Sequence, residues 1–194
     1  MALSISRIAS LLGQPENLKA PETTVTTLLT DSRSLLDPEG SLFFALRTPS
    51  GDGHTYIPGL YLKGVRNFVV ESLPAGVTAM PDANFLVVSS PLEALQTIAK
   101  AWREKVDPTV VAVTGSRGKT TVKEWIYTML AGDVRASRSP RSYNSRIGVP
   151  LSLYGIRPAD TVAVIEAGVS RSGEMARQES IISPDIVVIT NVGA

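Results

Sequence analysis

The sequence predicts an α/β fold in two parts: a small N-terminal α/β domain over residues 1–106, then the first part of a parallel-sheet domain over residues 107–194. Three observations carry this. Short apolar, β-branched runs alternate with helical patterns along the chain. The break Lys105-Val106-Asp107-Pro108 separates two such series. The second series opens with a valine-rich run that enters a glycine loop carrying Lys119 and Thr120, with a helical pattern directly after it.

In the first series, Ile5, Ile8, Ala9 and Leu12 fall at helical spacing and predict a short amphipathic N-terminal helix. Residues 13–21 read as a loop. Residues 23–30 are β-rich and run into the polar cluster Asp31-Ser32-Arg33-Ser34, a strand end. Residues 42–46 are a second strand-type run, followed by a loop over residues 47–54. A helical stretch over 56–63 closes at Gly64, which suits a C-terminal cap. Residues 67–70 and 85–88 read as short buried strands. The helix from Pro91 is the best marked: Ser90 is its N-cap, Pro91 fits the first turn and Glu93 completes a Ser-x-x-Glu capping box. Leu92, Leu95, Ile98, Ala99 and Trp102 form its core face.

In the second series, residues 109–113 are a strand. Val122, Trp125, Ile126, Met129 and Leu130 recur at i, i+3, i+4, i+7 and i+8, which predicts a helix burying all five. Residues 134–146 read as a polar loop, with Arg135, Arg138, Arg141 and Arg146 among serines. Residues 147–151 resume apolar character and enter a short helix. Two further strands follow, 161–165 ending at Glu166 and 185–190 ending at Asn191.

Strand, glycine loop, Gly118-Lys119-Thr120, helix is the layout of a phosphate-binding loop. Backbone N–H groups and the positive helix N-terminus cradle phosphate oxygens, Lys119 neutralises them, and the Thr120 hydroxyl reaches Mg²⁺. Val113 stands at the first glycine position of the general G-x-x-x-x-G-K-[ST] pattern, leaving the shorter T-G-x-x-G-K-T-T. The plainer alternative is a glycine-rich turn with an exposed lysine.

Composition narrows the class. Lys and Arg number 19 against 18 Asp and Glu, so charge gives no reason to expect a nucleic acid or membrane partner. There are no cysteines, which excludes disulfides and thiolate metal sites. His54 is the only histidine, which rules out paired-His chemistry. No apolar run reaches the length of a membrane span, and the N-terminus lacks a signal peptide's apolar core, so the expected location is cytoplasmic.

Taken together, the ordered motifs resemble the Mur ligase family, the ATP-dependent amide-forming enzymes of peptidoglycan synthesis. Thr114-Gly115-Ser116-Arg117-Gly118-Lys119-Thr120-Thr121 is similar to the family's T-G-x-x-G-K-T-[TS] loop, and Val122-Lys123-Glu124 to its D-alanyl-D-alanine-adding type, MurF. Tyr143-Asn144-Ser145-Arg146-Ile147-Gly148-Val149-Pro150 resembles N-N-x-x-G-x-P. Glu166-Ala167-Gly168 with Gly173-Glu174-Met175 resembles E-x-G…G-E-[IM], and Thr190-Asn191-Val192-Gly193 resembles T-N-[IV]-G. In the first half, Thr30-Asp31-Ser32-Arg33, residues 42–46 and Gly51-Asp52-Gly53-His54 look like the family's substrate domain. The wording around Ser139-Pro140-Arg141-Ser142-Tyr143-Asn144 is similar to the version fused to an alanine racemase, which would lie beyond this chain. Two positions depart from the family: Arg117 stands where a small residue or Asn is usual, and Ser145 replaces the second Asn of the pair.

The resemblance implies a UDP-MurNAc-peptide-binding domain over 1–106 and the first part of the ATP-binding domain over 107–194. ATP would phosphorylate the carboxylate of UDP-MurNAc-tripeptide, and the amine of D-Ala-D-Ala would attack the acyl phosphate. Residues 114–121 would bind the nucleotide, with Lys119, Asn144 and Glu166 catalytic and Thr120 and Glu166 holding Mg²⁺. Ser32, Arg33, Gly53 and His54 would contact the UDP substrate. Plainer readings stand beside these: Glu166 as a charged strand end, Asn144 as a turn residue, Asp31 and Ser32 as a turn closure, residues 51–54 as a hairpin tip, and the arginines as a solvated loop. RNA binding lacks an aromatic stacking platform, and a GTPase-like switch lacks any Asn-Lys-x-Asp motif. A ligase of the MurE type and a non-catalytic UDP-sugar module are the remaining alternatives. Residues 1–194 alone are not expected to complete ligation.

Overall fold

A computed structural model of the chain describes residues 2–49, 51–169 and 173–192. Two compact units, Met1–Ile98 and Ala99–Ala194, divide it.

The first unit begins with β1 (Leu3–Ser4), which leads directly into α1 (Ile5–Leu11) and pairs antiparallel with β2 (Thr24–Val25). Ser4 caps the helix by accepting the Arg7 N–H at 3.3 Å, and Ile5, Ile8 and Ala9 are buried. The unit's sheet comprises β3 (Thr27–Leu29), β4 (Ser41–Phe44), β7 (Asn67–Val70) and β8 (Asn84–Val87), all parallel, in the order β3-β4-β7-β8. Every residue of β4 and β7 is buried, as expected of a parallel sheet covered on both faces. Phe68 anchors the core, stacked on Phe85 at 5.2 Å and edge-on to Phe43 at 6.4 Å. The predicted loop after β4 is partly ordered: β5 (Arg47–Thr48) and β6 (Gly51–Asp52) form an antiparallel ribbon before the 3₁₀ turn Gly53–Tyr56 and α2 (Ile57–Leu62). α3 (Pro91–Val106) starts as predicted, with Ser90 Oγ accepting the Glu93 N–H at 3.2 Å.

In the second unit the order is β9 (Thr109–Thr114), α4 (Lys119–Leu130), β10 (Ala136–Arg138), α5 (Gly148–Tyr154), β11 (Val162–Glu166), α6 (Glu174–Ile182) and β12 (Ile186–Ile189). The sheet is parallel throughout, in the order β10-β11-β9-β12. The chain leaves β9 for one side and returns on the other, so the C-terminal ends of β11, β9 and β12 lie side by side. That is where open α/β sheets place ligands. Val110 and Ala112 of β9 pack with α5 and α6 residues such as Leu153 and Ile181, while Val111 and Val113 face Val122, Ile126 and Leu130 of α4.

Two expectations are corrected here. Trp125 and Met129 are 65% and 77% exposed, so α4 buries only a narrow stripe of its predicted face. That stripe is Val122, Ile126 and Leu130, and beside it Lys123 is fully buried with its ammonium bonded to the carbonyl of Ser139. The polar stretch 134–146 contains the strand β10. An edge strand has one solvated side and tolerates polar residues. Among the described residues no helix is long and apolar enough to cross a membrane.

Candidate functional site

β9 delivers the chain into a loop whose two glycines are both required. Gly115 has φ +133° and Gly118 φ +78°, conformations that favour glycine. A Cβ on Gly115 would also lie 2.2 Å from Thr190 Oγ1 and 2.8 Å from the Asn191 carbonyl, so its absence lets the loop lie against the end of β12. Asn191 then holds the loop from that side. Its carbonyl accepts the Ser116 N–H at 3.0 Å, and its side-chain oxygen accepts the Arg117 N–H at 2.8 Å. The Thr190 hydroxyl donates to the Arg117 carbonyl at 2.6 Å.

The Ser116 and Arg117 amides thus help fix the loop's shape. The first-turn amides of Lys119, Thr120 and Thr121 have no intrahelical acceptor and are donors an anion could take. Gly118 caps α4 without a side chain, and Val122 N–H donates to the Gly118 carbonyl at 2.9 Å. The result is an uncapped, positive helix end of the kind that binds phosphate. Lys119 Nζ donates to the Gly115 carbonyl at 2.7 Å, which holds its ammonium over the loop.

Glu166 ends β11 beside this loop and is 1% exposed. Thr120 Oγ1 lies 2.9 Å from its Oε2, and Asn144 Nδ2 donates to its Oε1 at 2.7 Å. The Glu166 N–H donates to Ser139 Oγ at 3.0 Å. Ser142 Oγ is 3.2 Å from Thr120 Oγ1. Asn144 is itself held by its carbonyl, which accepts the Gly168 N–H at 2.8 Å; a Cβ on Gly168 would stand 2.9 Å from Asn144 Cγ. Gln178 of α6 donates to the Gly168 carbonyl and ties that helix to the same loop. The structure therefore gathers Thr120, Asn144 and Glu166, three residues singled out from the sequence. Gly193, quoted with Thr190 and Asn191, lies outside the described residues.

This cluster suits a hard cation. A carboxylate and a hydroxyl oxygen converge in it. One or two protein oxygens, with water and phosphate completing the shell, is how Mg²⁺ is usually held.

Sequence reading missed Lys123 as a site residue. It is fully buried, its Nζ donates to the Ser139 carbonyl at 2.8 Å and to the Arg141 carbonyl, and it lies 3.7 Å from Glu166 Oε2. Burial pushes the neighbouring Glu124 carboxyl up, but Lys123 and Arg138 outweigh that and leave it below its ordinary value. Arg138 pairs with Glu124 at 2.7 Å and covers the Tyr127 ring at 3.9 Å, so it is committed to structure.

In the first unit, Ser32 and Arg33 follow β3, and Gly53 and His54 follow its neighbour β4, so both pairs stand at the C-terminal edge of the sheet. Asp31 accepts Arg33 Nε at 2.9 Å and Nη2 at 2.7 Å. These bonds bring the Asp31 carboxyl down to about 2 and fix a guanidinium whose side chain is 88% exposed. A Cβ on Gly53 would meet the Leu46 nitrogen at 2.8 Å, so this glycine lets the ribbon double back on the strand end. His54 is engaged on both ring nitrogens: Nδ1 with Asp52 at 2.6 Å, and Nε2 accepting the Glu71 N–H at 3.2 Å. The His54 backbone N–H and then its ring bring the Asp52 carboxyl down to about 2.

Residues 113–194 match the Mur ligase middle domain. The chain is 39% identical over 171 residues to the UDP-N-acetylmuramoyl-tripeptide–D-alanyl-D-alanine ligase of Synechocystis sp., covering 87% of this chain and 36% of that protein. It is 31% identical to the ligase of the same name from Bacillus subtilis, covering 98% of this chain and 41% of that one. A crystal structure of MurF from Acinetobacter baumannii superposes with a TM-score of 0.87 at 26% identity, over all of this chain and 42% of that chain. MurF from Thermotoga maritima in complex with ADP superposes at 0.76 with 28% identity, over 87% of this chain and 38% of that one. The chain thus spans about two fifths of the length of these relatives.

Proposed function

We propose that this chain, whose residues 113–194 match the Mur ligase middle domain, carries the UDP-substrate and nucleotide-binding parts of an ATP-dependent ligase. In this reading the ligase adds D-alanyl-D-alanine to UDP-MurNAc-tripeptide. Residues 1–106 bind the UDP-linked peptide, and residues 107–194 bind ATP. The observation that carries the reading is the convergence of Thr120, Asn144 and Glu166 beside an uncapped helix N-terminus.

An amide forms from a carboxylate only when the departing oxygen becomes a better leaving group. Transfer of the terminal phosphoryl group of ATP to the tripeptide carboxylate gives an acyl phosphate and ADP. Attack by the D-Ala-D-Ala amine then expels phosphate. The protein's contribution is positioning and charge neutralisation. Lys119 and the first-turn amides of α4 take the phosphate oxygens. Thr120 and Glu166 would hold Mg²⁺, which when bound neutralises phosphate charge. Asn144 fixes the orientation of the Glu166 carboxylate. In the first unit, Asp31 presents the open Arg33 guanidinium to the substrate diphosphate, with Ser32 beside it. Gly53 and His54 shape the neighbouring loop, and His54 has both ring nitrogens committed within the protein.

ATP and the UDP-linked peptide are soluble cytoplasmic nucleotides, so this reading puts the reaction in the cytoplasm. The same reading extends to a fused alanine racemase outside this chain, and sequencing the gene downstream tests that. The function itself is tested by phosphate release from the full-length protein, which should require UDP-MurNAc-tripeptide and D-Ala-D-Ala together. Release with UDP-MurNAc-dipeptide and a third-position amino acid, in place of the tripeptide and D-Ala-D-Ala, would favour the MurE type instead.

A further inference from the structure

Lys123 is the one fully buried ammonium on the loop-facing side of α4, and the reaction as described makes no use of it. It does not reach a ligand. Its side chain is 0% exposed, and the Ser139 carbonyl, the Arg141 carbonyl and Glu124 Oε1 (3.1 Å) occupy its three N–H donors. If that position served packing alone, an apolar residue would fill it without the cost of burying a charge.

The bonds it makes explain the charge. Ser139 is a shared node: its carbonyl accepts from Lys123, while its hydroxyl accepts the N–H of Glu166. From Ser139 the chain runs through Arg141 and Ser142 to Asn144, whose amide reaches Glu166 Oε1. Lys123 thus pins the start of the segment that supplies Asn144 and Ser142, and sets a positive charge 3.7 Å from Glu166 Oε2. It sits one turn beyond Thr120 on the same helix, so Thr120 and the Asn144 segment share one rigid support.

We propose that Lys123 is a positioning residue for the ion site: its buried ammonium clamps residues 139–141 to α4 and so sets the geometry among Thr120, Asn144 and Glu166. This rests on the reading of that cluster as a Mg²⁺–nucleotide site.

The test is calorimetric titration of the chain with ADP, with and without Mg²⁺, for wild type, Lys123→Met, Glu166→Gln and the double variant. Lys123→Met should weaken ADP binding in Mg²⁺ by about 10- to 100-fold, the range for residues that orient metal ligands, while metal-free binding changes little. In the Glu166→Gln background the same substitution should cost far less, since the carboxylate it positions is gone. Equal losses with and without Mg²⁺, or an undiminished loss in the Glu166→Gln background, would overturn the role while leaving the nucleotide site intact. A wild-type chain whose ADP binding ignores Mg²⁺ would defeat the reading of the site itself, and this inference with it. Should Lys123→Met not fold, the Lys123 ammonium resonance of the wild-type chain is followed instead. A shift on adding Mg²⁺ to the ADP-bound chain supports the role, and an unmoved resonance overturns it.

Discussion

Thr120 Oγ1 stands 2.9 Å from Glu166 Oε2, across 46 residues of sequence. The sheet brings them together. β11 runs parallel to β9 in a register that sets Glu166 opposite Val113, one residue before the loop begins. α4 then carries Thr120 back over that strand end. A hydroxyl and a carboxylate thereby meet beside a helix N-terminus, and the following expectations test what that meeting does.

Lys119→Ala should reduce Mg-nucleotide affinity or turnover by at least about a hundredfold, since it removes the ammonium held over the loop. Calorimetry on the variant checks it. The fold should survive, because the lost bond is a single contact to the Gly115 carbonyl.

Glu166→Gln should raise the Mg²⁺ concentration needed for half-maximal nucleotide binding by about tenfold or more, because a neutral amide oxygen is a poorer ligand for a hard cation. The Thr120 and Asn144 donors to that carboxylate are themselves uncharged, and an amide can keep part of their hydrogen bonding. A Mg²⁺ titration at fixed ADP reads the change.

Arg33→Ala should weaken UDP-substrate binding by about tenfold, the value of one charge-assisted contact, with Mg-ADP affinity unchanged. The pH dependence follows from Asp31. Its carboxyl is lowered to about 2 from 3.8, so the clamp on Arg33 is fully present above about pH 4 and is lost as pH falls through about 2. NMR titration of the Arg33 Nε–H signal should therefore show no change from neutrality down to that range.

Gly53→Ala should destabilise the first unit by about 1–3 kcal/mol, because the added methyl meets backbone rather than a flexible side chain. Thermal unfolding measures it. A variant that keeps full stability while losing UDP-substrate affinity would instead mark Gly53 as a ligand contact.

Much of this was legible from local pattern. The α/β class, the capped start of α3 and the loop at residues 114–121 each announce themselves through spacing and residue type within a few positions. Glu166 and Asn144 were legible as members of ordered motifs, though only the parallel register shows why they meet. Lys123 was not, because a lysine at a helical position reads as surface, and its acceptors are backbone carbonyls 16 and 18 residues away. Trp125 and Met129 misled for the complementary reason: apolar spacing marks a wide face, and the sheet covers only the part of it that Val122, Ile126 and Leu130 occupy. Asn191 as the anchor of Ser116 and Arg117 depends on β12 lying beside β9, a pairing across more than 70 residues that no local signal encodes.

The most direct measurement is a crystal structure of this chain with Mg-ADP. The account predicts the terminal phosphate on the amides of Lys119, Thr120 and Thr121, with the ion against the oxygens of Thr120 and Glu166. Nucleotide bound elsewhere, or an ion held away from both oxygens, would contradict it.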